Sequence, residues 1–84
     1  MIEKRLAPSQ CRMARAALTW TALQLAEQAG VGVTTIVRFE REQTAPNRTT
    51  LAALQRALEA AGVDFIPENG GGAGVRLRKP AGAE

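Results

Sequence analysis

The chain of 84 residues is 45% hydrophobic, 23% charged and 4% aromatic, and its formal net charge is +3. This length suits one small domain, and the apolar fraction is too high for a disordered chain. Histidine and tyrosine are absent and cysteine occurs once, which excludes a Cys/His metal site, a Ser-His-Asp triad and an intramolecular disulfide. An enzyme is therefore disfavoured. The single thiol, with no signal peptide or membrane-spanning run, predicts a cytoplasmic protein.

A short charged arm, residues 1–7, precedes the first predicted helix. Pro8 suits the first position of a helix, where a missing backbone N–H costs nothing. Cys11, Ala14 and Leu18 then recur three and four residues apart, so we predict a helix that ends at Leu18. Cys11 is interpreted as a small core residue of this helix, and a redox-sensitive thiol is the alternative.

The second helix has the clearest start signal in the chain. Thr21 and Gln24 lie three residues apart, the spacing of a capping box, and Trp20 and Leu25 occupy the two positions of a hydrophobic staple. Gly30 ends the helix, since glycine readily adopts the left-handed conformation found just beyond many helix C-termini. These residues predict a helix between Thr21 and Gly30.

Local and global signals disagree in the third segment. Residues 33–37 are all β-branched and alone favour a strand. Ile36 and Phe39, however, lie three residues apart, the charged residues that follow do not alternate, and a lone strand between helices would have no partner. We therefore predict a third helix, Val33–Arg41, in which packing offsets the poor helix propensity.

The fourth predicted helix follows a loop at residues 43–46. Asn47 or Thr49 caps its N-terminus, and Gly62 stops it. Its apolar face has a spacing of three, four and three residues and consists of Leu51, Leu54, Leu58 and Ala61.

The last segment changes character and predicts a β-hairpin. Residues 63–67 and 75–79 are short β-prone runs, and a glycine-rich stretch that begins with Asn69 and Gly70 separates them. An isolated hairpin is marginal in water. It must therefore pack on the helices, pair with another subunit or fray.

Alternation within the hairpin places Val63 and Phe65 on one face of the first strand, and Val75 and Leu77 on one face of the second. We expect exposed edges with apolar side chains to recruit a partner's strands, which makes the hairpin the candidate dimer element. The alternative is a hairpin that covers the first and fourth helices of its own subunit. Three basic residues of the second strand either contribute to binding an anionic partner such as nucleic acid or form a solvated face: Arg76, Arg78 and Lys79.

Residues 21–42 contain two predicted helices joined by a four-residue turn with glycine. This is the helix-turn-helix arrangement. Ala26 must be small where the next helix crosses it, and Gly30 must accept a positive φ to turn the chain. Four apolar residues are expected to pack the two helices into one rigid unit: Leu25, Val31, Ile36 and Phe39.

Residues 9–62 resemble the helix-turn-helix domain of phage repressor and Cro proteins, the XRE family. The residues that carry the resemblance are Leu25-Ala26, Gly30-Val31, Thr35-Ile36, Arg38-Phe39-Glu40, Pro46 and Thr50-Leu51. It implies a mainly α, four- to five-helix repressor-like domain at residues 8–62, followed here by the hairpin tail at 63–84. It also implies a homodimer that binds a pseudo-palindromic operator in double-stranded DNA, most simply as a repressor, without a cofactor or metal.

In such domains the second helix of the motif lies in the major groove with its N-terminal residues at base edges. Position by position, the resemblance makes Val33, Thr34, Val37 and Arg38 the candidates for base contacts. The Arg38 fork can bind O6 and N7 of guanine, the valines can contact thymine methyl groups, and Thr34 suits either base type. The alternative for the two valines is plain helix surface or partial core.

The resemblance assigns phosphate contacts to Thr21, Arg41 and Arg48, near the ends of the flanking helices. The alternative for the two arginines is a solvated surface charge. Two positions depart from the family pattern. Ala22 stands where many members have a bracing glutamine, and Gly32 replaces the usual hydroxyl cap of the third helix.

Arg15 and Glu40 match a pair that forms a buried, structural ion pair between the first and third helices in several phage repressors. Two unrelated charges are the alternative. The remaining charge adds little to the functional prediction, because residues 9–62 contain six arginines and four glutamates. DNA affinity should therefore depend on geometry and two-fold avidity.

The competing hypothesis is a protein-interaction module, such as an antitoxin-like subunit that neutralises a partner through the hairpin. An exposed apolar patch on the hairpin would favour it.

Overall fold

The computed structural model of the protein describes residues 6–78. Most of the predicted arm (residues 1–5) and the end of the tail, including Lys79, lie outside the described residues. The described chain confirms a mainly helical fold with four helices and a two-stranded antiparallel hairpin. The elements are α1 (Pro8–Leu18), α2 (Ala22–Ala29), α3 (Val33–Glu40), α4 (Arg48–Ala60), β1 (Val63–Ile66) and β2 (Gly74–Leu77). Over residues 6–78 no helix is both long and apolar enough to cross a bilayer.

The ends of α1 and α2 follow from the capping residues in the sequence. Pro8 is the first residue of α1, and Thr19 ends the helix in the left-handed region with φ of 56°. The predicted capping box of α2 is formed: Thr21 Oγ1 accepts from Gln24 N at 3.0 Å, and Gln24 Oε1 accepts from Thr21 N at 2.8 Å. Gly30 ends α2 with φ of 71°.

The third segment is a helix, as predicted, although five consecutive β-branched residues favour a strand locally. Ile36 is fully buried and Phe39 is 4% exposed, so α3 places its two large apolar side chains in the core. This burial outweighs a propensity cost of up to about 0.7 kcal/mol per β-branched residue. The helix ends at Glu40, one residue before the predicted end, and Arg41 is its C-cap.

The N-terminus of α4 resolves the choice between two caps in favour of Asn47. Asn47 Oδ1 accepts a hydrogen bond from Thr50 N at 2.8 Å. The helix proper ends at Ala60, and Gly62 then turns the chain into β1 with φ of 110°.

One hydrophobic core joins all four helices and the hairpin. α2 packs against both α3 and α4, and α1 packs against α3 and β2. The fully buried large side chains come from different elements: Leu25, Ile36, Leu54, Leu58, Val63 and Cys11. Cys11 therefore occupies a core position.

The hairpin covers its own subunit, which corrects the expectation of an exposed apolar face. Val63 pairs with Leu77 and Phe65 with Val75, so the four side chains share one face. Val63 is fully buried and the other three pack against the core, where β1 meets α4 and β2 meets α1. This face therefore lies against the helices of its own subunit, as the stated alternative expects.

Gln10 connects the loop end of the hairpin to α1. Its side chain is buried, and its Nε2 donates to the carbonyl oxygens of Ile66 at 3.2 Å and Gly74 at 3.0 Å. Its Oε1 accepts from Ala7 N at 3.0 Å. Because one amide satisfies three backbone groups, the hairpin is held in a fixed position on the helices.

Candidate nucleic-acid interface

The helices α2 and α3 form a compact unit around a glycine turn. Gly30 N and Val31 N both donate to the carbonyl oxygen of Ala26, at 2.9 and 3.1 Å. The residue at position 30 closes this turn in the left-handed conformation, which glycine adopts without steric cost. Ala26 is buried where α2 packs against α3, which explains the need for a small side chain.

α3 divides into a buried face and an exposed face. At about 100° per residue, Val33, Thr34, Val37 and Arg38 span an arc of about 140° on one side of the helix. Thr34 and Arg38 are exposed, Val33 is 37% exposed and Val37 is half-buried. The sequence therefore presents two apolar side chains, one hydroxyl and one guanidinium along a single rigid surface, as a base-reading helix requires.

The three predicted phosphate-contact residues lie at helix ends. Thr21 is the N-cap of α2, Arg41 is the C-cap of α3 and Arg48 is the first residue of α4, and all three are exposed. The Thr21 oxygen accepts from Gln24 N, so its hydroxyl proton is the group that can be donated to an anion. The N-termini of α2 and α4 add backbone N–H groups and partial positive charge.

The two departures from the family pattern have structural consequences. Ala22 is half-buried against the core and carries no polar group with which to brace α3. Gly32 is the N-cap of α3 and makes no side-chain capping hydrogen bond. The N-terminal turn of α3 thus depends on packing rather than on side-chain hydrogen bonds for its position.

A buried ion pair connects α3 to α1. Arg15 Nη2 lies 2.6 Å from Glu40 Oε1, and Arg15 Nε donates to Glu40 Oε2 at 2.8 Å. The side chain of Glu40 is 7% exposed and that of Arg15 is 23% exposed. Arg15 also donates to the carbonyl oxygen of Trp20 at 3.0 Å, which links the pair to the start of α2. This bidentate geometry fixes the angle between the helices.

Two further residues complete the contacts around Glu40. Cys11 Sγ donates to Glu40 Oε2 at 3.1 Å, and Arg12 Nη1 donates to the Glu40 backbone carbonyl. The sequence pattern predicts a core position for Cys11 and no role for Arg12. Only the spacing on α1 could have indicated these contacts, since residues 11, 12 and 15 lie within one turn of each other.

The protonation of this cluster follows from its contacts. Burial raises the pKa of Glu40, but hydrogen bonds from Arg15 and Cys11 and the charges of Arg15 and Arg12 outweigh burial, so the pKa lies below its usual value. Burial, followed by the bond to Glu40 and its negative charge, raises the pKa of the Cys11 thiol far above its usual value. Cys11 is therefore a protonated core thiol, and thiolate chemistry is disfavoured there.

Comparisons with known proteins agree with this geometry. A family profile described as helix-turn-helix matches residues 12–64. Among solved structures, the chain is similar to the DNA-binding domain of the P22 C2 repressor, whose NMR structure was compared with that of the 434 repressor domain. The identity is 31% and the TM-score 0.59, over 69% of this chain and 76% of that one. A comparison with curated sequences gave no significant match. The chain belongs to the helix-turn-helix family of phage repressor type and is a DNA-binding transcription regulator.

Proposed function

We propose that the protein is a repressor that binds a pseudo-palindromic operator as a homodimer, with α3 in the major groove. The observation that carries the proposal is the exposed face of α3 opposite a fully packed one. In the proposed complex Arg38 binds O6 and N7 of a guanine, and Thr34 bonds a neighbouring base edge. Val33 and Val37 contact thymine methyl groups.

Phosphate contacts from Thr21, Arg41 and Arg48 position α3 without reading sequence. A single domain of this size covers few base pairs, so operator specificity calls for two copies of α3 about 34 Å apart. The proposal therefore includes a dimer.

The competing antitoxin-like module depended on an exposed apolar patch on the hairpin. The alternating apolar residues of β1 and β2 pack against the chain's own core. The hairpin face therefore gives that hypothesis no support.

Selection of bound sites from random duplexes, followed by fluorescence anisotropy on the selected site, tests the proposal. Arg38→Ala should weaken binding by about tenfold or more per half-site and relax preference at one position, because a bidentate contact discriminates by about 1–3 kcal/mol. Arg41→Ala should weaken binding to all sequences alike, and it should reduce the slope of log affinity against log salt concentration by about one. Arg56→Ala, which removes the same charge from an exposed position of α4, is the matched control.

Equal losses for Arg38→Ala and Arg56→Ala, with unchanged base preference, would contradict the assignment of α3 as the base-reading helix. Recovery of no preferred site at about 100 mM salt would refute sequence-specific binding altogether.

A further inference from the structure

The two outer edges of the hairpin differ in their backbone hydrogen bonds. In an antiparallel pair, opposed residues alternate between those that bond each other and those whose N–H and C=O point outward. Arg78 N donates to Gly62 O at 2.8 Å, so the opposed residues 62 and 78 belong to the bonded set. With the observed register, residues 64, 66, 74 and 76 also point inward, whereas residues 63, 65, 75 and 77 point outward.

The outer edge of β1 is obstructed on both sides of Phe65, whose own outward N–H and C=O make no hydrogen bond within residues 6–78. The outward carbonyl of Val63 accepts from Arg78 Nη1 at 3.4 Å, and the same guanidinium bonds the carboxylate of Asp64 and the carbonyl of Glu59. The next outward position beyond Phe65 is Pro67, which has no N–H to donate. Proline and charged side chains are common devices that prevent a strand from pairing further.

The outer edge of β2 is open. Within residues 6–78, no residue bonds the outward N–H and C=O groups of Val75 or Leu77. The side chains of these residues face the core and therefore do not obstruct an approaching strand. Four aligned backbone groups on a strand that Gln10 holds in place form a rigid pairing edge.

We propose that β2 pairs with β2 of a second copy of this chain, antiparallel, with the two-fold axis at Val75. Val75 then bonds its symmetry mate through both outward groups, and the two hairpins join into a four-stranded sheet. The inference rests on the proposed function only in its choice of a second copy, because a two-fold operator requires one.

Electrostatic repulsion favours the register with its axis at Val75 over those with the axis at Arg76 or Leu77. Arg76 and Arg78 share a single carboxylate, that of Asp64, at 3.8 and 2.8 Å. An axis at Arg76 would oppose two arginines directly, and an axis at Leu77 would oppose Arg76 to Arg78 twice, which is destabilising. An axis at Val75 instead places Arg76 opposite glycine, residue 74 of the second copy.

The geometry also suits a DNA-binding dimer. The hairpin is tied to α1 through Gln10 and to the end of α4 through Arg78. A sheet that continues across the two-fold axis would therefore hold both copies of α3 at one fixed separation. Half-site spacing becomes a property of the folded dimer rather than of a flexible linker.

Sedimentation equilibrium on the full chain tests whether the outer edge of β2 forms the dimer contact. Val75→Pro removes the outward N–H without removing an intramolecular bond, and Val75→Ala is the control that keeps this N–H. The proline variant loses two symmetry-related hydrogen bonds, so we expect its dimer dissociation constant to rise about 30-fold, equivalent to about 2 kcal/mol. The alanine variant should stay close to wild type in association. Equal association of all three proteins, or a monomeric wild type, overturns the proposal.

Disulfide trapping tests the register. In the proposed dimer residues 74 and 76 of opposite copies form a non-hydrogen-bonded pair with Cα atoms about 4.5 Å apart, within disulfide range. A side chain at Gly74 meets no atom within 4 Å, so substitution there is tolerated. With oxidised glutathione, Gly74→Cys/Arg76→Cys should form a covalent dimer rapidly, and Gly74→Cys alone, which keeps Arg76, should not. Equally rapid trapping of the single variant overturns the axis at Val75.

Anisotropy with a single half-site separates the two proposals. Val75→Pro should bind one half-site as wild type does while losing affinity for the full operator. A wild-type monomer that still reads the half-site through Arg38 would overturn the β2 pairing and leave the proposed DNA recognition intact.

Discussion

Glu40→Gln is the substitution that tests how α3 is held. The Glu40 carboxylate accepts two hydrogen bonds from Arg15 and one from Cys11, at 2.6–3.1 Å. Glutamine has the same shape but no charge, and its amide places a donor where one of these donors now points. The variant therefore leaves the Arg15 guanidinium without a counter-charge and leaves at least one donor without an acceptor.

The expected loss of unfolding free energy follows from the burial of the Arg15–Glu40 pair. Breaking one partner of a buried pair costs about 3–5 kcal/mol. Arg15 keeps 23% of its side chain exposed and can recover part of its hydration, so we expect about 2–3 kcal/mol here. A chain of 84 residues has a total unfolding free energy of about 4–13 kcal/mol, so this loss is a large share of the whole.

Urea unfolding followed by circular dichroism measures the loss. Glu27→Gln, the same change at an exposed position of α2, should alter the unfolding free energy by no more than about 0.5 kcal/mol. The double variant Arg15→Met/Glu40→Leu should lose less than Glu40→Gln alone, because it leaves no uncompensated charge. If Glu40→Gln unfolds at the same urea concentration as Glu27→Gln, the ion pair does not stabilise the fold and the reasoning is refuted.

Two further predictions concern pH and helix ends. The pKa of Glu40 is lowered in the folded state, so its contribution to stability is complete above the ordinary value of 4.5 and is lost as the pH falls through the folded pKa. Acid titration of urea stability should therefore show a steeper decline below about pH 4.5 for wild type than for Glu40→Gln, and parallel curves would contradict this. Thr19 is a β-branched residue with φ of 56°, so Thr19→Gly should stabilise the protein by about 0.5–1 kcal/mol despite the entropy of glycine. Gly30→Ala should destabilise the protein by about 1 kcal/mol through backbone conformation alone, since the added Cβ meets no atom within 4 Å. Thermal unfolding should therefore raise the melting temperature for Thr19→Gly and lower it for Gly30→Ala, and a shift of both in the same direction would contradict these two predictions.

The helices were predictable because their signals are local. The capping box at Thr21 and Gln24 and the left-handed glycine at position 30 delimit α2 without reference to the rest of the chain. α3 needed a global argument, because its β-branched residues favour a strand until the burial of Ile36 and Phe39 is considered. Family resemblance also supplied the pairing of Arg15 with Glu40, which no spacing in the sequence indicates.

The contacts that sequence reasoning missed are long-range. Gln10 meets backbone groups 56 and 64 residues away, and Cys11 meets Glu40 from 29 residues away. Such contacts leave no periodic signal, because they arise only when the hairpin folds back onto α1 and when α1 packs against α3. For the same reason, alternation revealed which hairpin residues share a face but not that this face covers the subunit's own helices.

The stability of the α1–α3 junction and the proposed reading of DNA by α3 are physically coupled. The exposed arc of α3 offers one guanidinium and one hydroxyl for hydrogen bonding, and two valines that discriminate only by close contact. Bidentate and methyl contacts both require placement within a fraction of an ångström, and the weak net charge cannot compensate for a helix that moves. Arg15, Arg12 and Cys11 all fasten the last turn of α3, whereas its first turn has no side-chain cap. Loosening the last turn would therefore leave α3 held by core packing alone. Glu40→Gln should accordingly weaken binding to the proposed operator at temperatures where the variant is still folded, with the loss shared by all bases of the half-site rather than confined to the one that we propose Arg38 contacts.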